Sequence, residues 1–134
     1  MLKRSLATML VGAAALAGCQ TTKEAPNLAT LSLSFAFQKP HACSRLSPEY
    51  TVGNVPAETK FLKLRMVDLD LPTYAHGGGT VAYSGGGKIP EGSLKQYEGP
   101  CPPTAHRYEV TVEALNADQT LVLGRGKATE KYPN

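Results

Sequence analysis

The chain contains no tryptophan and only three phenylalanines, three histidines and three cysteines. Past residue 17 no window repeats apolar residues at the 3.6-residue helical period, which excludes a helical bundle. His41, His76 and His106 lie far apart and show no metal-ligand spacing, so the sequence gives no reason to expect a metal centre. Nor is there a Gly-x-Ser-x-Gly frame around Ser47, Ser84 or Ser93. Gly85-Gly86-Gly87-Lys88 lacks the spacing of a phosphate loop, and Ile89-Pro90 prevents the helix that such a loop needs. No nucleophile–base pair and no cofactor motif is visible. A non-catalytic protein without a cofactor is expected.

What the sequence does have begins at its N-terminus. Lys3 and Arg4 precede an uncharged stretch, Ser5 to Ala17, rich in Ala, Leu, Val and Met, and Leu16-Ala17-Gly18-Cys19 closes it. A basic start, a short apolar segment and small residues at its end read as a secretory signal, too short to span a bilayer. The ending resembles the bacterial lipobox, in which the cysteine is lipidated and becomes the first mature residue. That resemblance implies three acyl chains on Cys19 and a stable membrane anchor. The alternative is a plain signal peptide with Cys19 a chance neighbour. Gln20 after the cysteine points to the outer membrane, periplasmic face, of a bacterial envelope.

Removing residues 1–18 also removes two of the 14 basic residues and no acid, which leaves 12 against 11, a net charge of +1. The basicity is therefore mostly targeting, and no basic patch with interleaved aromatics argues for nucleic acid. The remaining 116 residues suit one domain with a single core. Cys19 and the polar stretch Gln20 to Ala29 read as an anchor and tether, with the folded domain from residue 30 to 134. With Cys19 committed to lipid, Cys43 and Cys101 form an even pair in an oxidising compartment and are expected to be bridged. Two free thiols, or a metal pair with histidine, are the alternatives.

Patterning along the domain is β throughout. Leu31, Leu33, Phe35 and Phe37 alternate with Ser32, Ser34 and Ala36. In Phe61 to Val67, Leu62, Leu64 and Met66 share one face and Lys63 and Arg65 the other. In Arg107 to Leu115, Tyr108, Val110, Val112 and Ala114 oppose Glu109, Thr111 and Glu113. Thr80 to Ser84 and Thr120 to Leu123 are weaker candidates, and Arg125 to Tyr132 adds an edge. A hairpin turn is expected at Asn116 to Gln119. The triple-glycine runs, Gly77 to Gly79 and Gly85 to Gly87, are expected to break the middle of the chain.

Extending the same parity to polar residues has a consequence. Asp68 and Asp70 continue the inward row of Leu62, Leu64 and Met66, and His106 shares the inward row of Tyr108 and Val110. Unpaired buried charge is costly, so these groups should find one another or line a cavity. Read singly, Asp68 caps a turn, Asp70 precedes the Leu71-Pro72 bend, and His106 is a satisfied core histidine.

Four stretches together resemble the phosphatidylethanolamine-binding protein family, also called Raf-kinase-inhibitor-like, in its bacterial branch. Residues Cys43 to Tyr50 with Val55 to Lys60 are similar to its Ser-Pro segment and the turn that follows. Val67-Asp68-Leu69-Asp70-Leu71-Pro72 resembles its D-P-D-x-P motif, with Leu69 in place of the first proline. Gly99-Pro100-Cys101-Pro102-Pro103-Thr104-Ala105-His106-Arg107-Tyr108 resembles its G-x-x-P-P…H-R-Y motif, and Gly124 to Tyr132 its closing strand. The resemblance implies a β-sandwich-like fold with a small anion pocket at one end, lined by Asp68, His76, Gly99, His106 and Tyr108. It implies as ligand a phosphate-bearing small molecule or a phospholipid headgroup. Two histidines and a phenol can donate hydrogen bonds to an oxyanion, and prolines pre-set the loop beside them. The family's aromatic wall is replaced by Tyr74-Ala75-His76-Gly77-Gly78-Gly79, and its C-terminal insert and helix find no counterpart between Asp118 and Thr129. A shallow pocket is implied, or an interaction or inhibitor subunit of the envelope that keeps the fold with a vestigial pocket.

Overall fold

Alternation at a period of two decides which way each strand faces. In a computed structural model that describes residues 21–134, nine strands form two stacked sheets. They are β1 (Lys23–Thr30), β2 (Ser32–Phe35), β3 (Tyr50–Gly53), β4 (Phe61–Asp68), β5 (Ala75–Ala82), β6 (Lys88–Ile89), β7 (Gln96–Tyr97), β8 (His106–Leu115) and β9 (Leu121–Tyr132). The larger sheet runs β1-β9-β8-β4-β5-β7 and the smaller β2-β3-β6. A single 3-10 turn at Lys39–His41 is the one helical piece among the described residues. The signal segment and Cys19 lie outside the described residues.

The core is the space between the sheets. Leu62, Leu64 and Met66 of β4 and Tyr108, Val110, Val112 and Ala114 of β8 meet Phe35, Tyr50, Val52 and Ile89 of the smaller sheet. Each large apolar side chain so buried contributes about 1.5–3 kcal/mol. That sum fixes the inward faces of β4 and β8, which pair antiparallel from Phe61↔Leu115 to Asp68↔Tyr108. Asp68 is carried inward with its row and is only 3% exposed. Apolar packing therefore determines where this carboxylate sits, and its neighbours must satisfy it.

Three sequence expectations are corrected. The stretch read as a tether up to Ala29 is strand from Lys23: β1 pairs parallel to β9, with Lys23 opposite Leu121 and Thr30 opposite Arg125. The edge of β9 supplies backbone partners, the Lys23 N–H donating to Thr120 and the Leu31 N–H to Arg125. A polar, proline-bearing sequence is tolerated there because an edge strand keeps one side in solvent. Secondly, Gly77 to Gly79 do not interrupt the chain but lie inside β5. Any side chain at Gly77 would collide with the Gln96 carbonyl, and one at Gly78 with the Leu64 carbonyl, so these glycines permit close backbone approach. Thirdly, the Leu31–Phe37 strand ends at Phe35. Phe37 instead packs edge-on against Tyr108 and Tyr132, with ring centroids 5.5 and 5.6 Å away.

The Cys43–Cys101 disulfide is present, with Cα atoms 4.5 Å apart. Around it the Cys43 N–H donates to Pro100 (2.9 Å) and the Gly99 N–H to Ser44 (2.7 Å). A side chain at Gly99 would run into the His41 carbonyl, so this glycine lets the two segments lie backbone to backbone. The proline-rich turn is thereby pinned to the 41–44 segment by a covalent bond and two hydrogen bonds.

Candidate functional site

Four chain segments converge at one end of the larger sheet: the last residue of β4, the first residues of β5 and β8, and the turn that follows β7. They bring together Asp68, His76, Gly99, His106 and Tyr108. Asp68 is at the centre. Its Oδ2 accepts from Nδ1–H of His106 at 2.6 Å, while Oδ1 accepts the Asp70 and Leu71 N–H groups at 2.9 and 3.0 Å. Burial pushes the Asp68 carboxyl up, but the His106 hydrogen bond and the two backbone N–H groups outweigh it and hold the group below the ordinary carboxylate value. The turn reading and the pairing reading of Asp68 are thus both realised, one on each oxygen.

The bond to Asp68 also assigns the His106 tautomer. With Nδ1 carrying the proton, Nε2 is the free edge of the ring, and the side chain is 22% exposed. His76 is differently placed. Its Nδ1–H donates to the Glu98 carbonyl at 2.9 Å, and its Nε2 lies 4.0 Å from Asp68 Oδ2. The ring is buried, with Tyr74 on one side (4.7 Å between centroids) and Tyr108 edge-on at the other (5.3 Å). Tyr108 is 1% exposed, and burial first, then Asp68 and Asp70, pushes its phenol up to about 12. It stays a neutral hydrogen-bond donor at any physiological pH.

A pocket of about 230 Å³ opens above this floor, lined by Asp68, Leu71, Tyr74, Gly99, Cys101, Pro102, Pro103, His106 and Tyr108. It is smaller than the roughly 300–1,000 Å³ typical of drug-sized ligands. His76, expected among the lining residues, is not one of them: it borders a neighbouring depression with Arg45, Gly77 and Gln96, because its Nδ1–H is held by the Glu98 carbonyl. The missing aromatic wall is partly made good by Tyr74, which is 47% exposed and whose hydroxyl donates to Glu98 at 2.8 Å. Sequence reasoning missed Tyr74 and Leu71 as lining residues. An exposed tyrosine and leucine flanking a proline bend were the available signal.

Asp70 points away from the pocket. It takes the Arg107 backbone N–H at 2.7 Å and the guanidinium at 2.9 Å, and so ties the 69–74 loop to the start of β8. His41, considered above as a metal ligand, is used structurally: Nδ1 accepts from Gln38 (2.9 Å) and Nε2–H faces Glu91 (3.3 Å). Among the described residues no group of three or more His, Cys, Asp or Glu is placed to hold a metal ion.

No family model matches the sequence, and no curated protein matches it either. Solved structures do match in shape. A phosphatidylethanolamine-binding protein homologue, CT736 of Chlamydia trachomatis, superposes with a TM-score of 0.57 at 19% identity, over 78% of this chain and 98% of that one. E. coli YbcL, a member of the mammalian family of these proteins, gives 0.53 at 17% identity, over 85% and 98%. The fold is that of a phosphatidylethanolamine-binding protein. On this phosphatidylethanolamine-binding-protein-like fold, the Asp68–His106 pair stands at the end of two adjacent central strands. There the 69–74 and 99–105 loops flank it.

Proposed function

We propose that the protein is a lipid-anchored component of the bacterial envelope, held through Cys19, whose pocket binds a phosphate-bearing ligand, either a small molecule or a phospholipid headgroup. One observation carries this reading: a buried carboxylate orients His106 so that Nε2 is left free beside the Tyr108 phenol in a pocket sized for a small anion. With Nδ1–H committed to Asp68, Nε2 donates to an oxyanion in the imidazolium form, and the Asp68 carboxylate beside it stabilises that cation. The similar structures are named for phosphatidylethanolamine binding, which supports the same ligand class. Binding without catalysis is part of the proposal, because the one cysteine lining the pocket is tied up in the disulfide.

A second reading, an envelope interaction or inhibitor subunit with a vestigial pocket, is favoured by the small volume and by the absence of His76 from the pocket lining. Histidine ring signals followed by NMR in the oxidised fragment from Gln20 to Asn134 separate the two. Under the first reading His106 shifts saturably on adding phosphate or phosphoethanolamine, and Tyr108→Phe weakens the response. Silent histidines at millimolar ligand in a folded domain support the second.

A further inference from the structure

The position of β1 bears on where the ligand comes from. Lys23 enters the sheet opposite Leu121 and beside the Asn116–Thr120 turn, at the end where β8 finishes and β9 begins. His106 and Tyr132 pair at the other end of the same two strands. Nine residue steps of β8, at about 3.3 Å each, separate the two ends by roughly 30 Å. All the pocket loops, 69–74 and 99–105, are at the His106 end.

From these placements, and resting on the proposed anchor at Cys19, we infer that the pocket faces away from the membrane that carries the protein and takes a water-borne phosphate compound, not a headgroup of that membrane. Only four residue steps separate Cys19 from Lys23, and even a fully extended chain spans about 14 Å over that distance. Turning the pocket onto the bilayer would stand the domain on its 69–74 and 99–105 loops. Lys23 would then be lifted roughly 30 Å above the surface, about twice what the link can reach. The strand that replaced the expected tether is the deciding feature. A flexible stretch up to Ala29 would have left the domain free to turn over.

The test uses the full-length protein acylated at Cys19, verified by mass spectrometry, in phosphatidylcholine nanodiscs doped with a gadolinium-headgroup lipid. Amide signals of Asn116 to Thr120 should broaden severely while the His106 ring and the 99–105 loop stay sharp. Inserting a Gly/Ser linker of about 30 residues after Gln20, with an end-to-end distance of roughly 30 Å, should remove that contrast. Broadening of His106 equal to that of the turn, or broadening of neither, overturns the inference. In undoped discs, soluble phosphoethanolamine should shift His106 in the acylated protein. Exchanging the disc lipid for phosphatidylethanolamine, with no soluble ligand, should not. A shift from disc lipid alone overturns the orientation. Absence of any shift with soluble ligand overturns the binding reading instead, and an unacylated Cys19 overturns the anchor.

Discussion

The two ends of the larger sheet are built from the same strands, yet they solve different problems. At the β8–β9 turn the side-chain hydrogen bonds are local. Asn116 Oδ1 accepts the Thr120 and Leu121 N–H groups, both at 3.0 Å, and Asp118 caps Thr120. Nothing ionisable there is buried. At the other end a carboxylate is held inside, and while Oδ1 takes two local N–H groups, the partner of Oδ2, His106, comes from 38 positions away in the chain. Local closure suffices to reverse a chain. Holding a charge in a pocket needs a long-range clamp, and the disulfide with its proline-rich turn provides one.

Removing that clamp is the largest disturbance expected. Cys43 and Cys101 are 58 residues apart. On a chain-entropy argument a bridge over that span stabilises the fold by about 4 kcal/mol. The paired Cys43→Ser, Cys101→Ser variant should therefore lose about 4 kcal/mol in urea unfolding. His106 should also sharpen or shift in NMR, while the Asn116–Thr120 amides keep their positions. Changes of equal size at both ends would mean that the disulfide supports the whole sheet and not the pocket.

Next in size is the carboxylate itself. Asp68→Ala deletes three hydrogen bonds to a buried charged group, each worth about 1.5–3 kcal/mol in isolation, and strands two backbone N–H groups. Because these bonds share one group they do not add, and a loss of about 3 kcal/mol is expected. Asn116→Ala, the matching deletion at the turn, removes two ordinary acceptor contacts near solvent and should cost about 1 kcal/mol. Denaturant midpoints of the two variants against the parent measure the difference. Equal losses would remove the distinction between the two ends.

Much of this asymmetry could be read from the strand pattern. Asp68 and His106 fall on rows whose apolar members dictate their direction, so parity alone placed them inward. The disulfide was expected from the cysteine count and the oxidising compartment that the N-terminal stretch implies, and Cys43 and Cys101 are bridged. What escaped the sequence is non-local. β1 exists because β9 offers an open edge, and Gly77 to Gly79 lie in a strand because Gln96 and Leu64 approach it. β6 and β7 are two residues each, too short for any period to register. Tyr74 lines the pocket through the course of the 69–74 loop, which no alternation encodes.

The smallest effect concerns Asp70, two residues from Asp68 but on the surface. The Arg107 side chain, with its backbone N–H, holds the Asp70 carboxyl at about 2, against an ordinary 3.8. Because the folded-state value is depressed, whatever stability the pair contributes is complete above pH 3.8 and fades as pH falls through about 2. Both partners are solvated, so the informative readout is the carboxyl chemical shift and not the unfolding energy. Arg107→Gln should move the Asp70 midpoint upward part of the way to 3.8, since the backbone donor stays. Asp68, whose depression comes from His106 and the Asp70 and Leu71 N–H groups, should keep its own. If the two midpoints move together, loop 69–74 transmits surface charge to the pocket floor, and the carboxylate under His106 is less insulated than its burial implies.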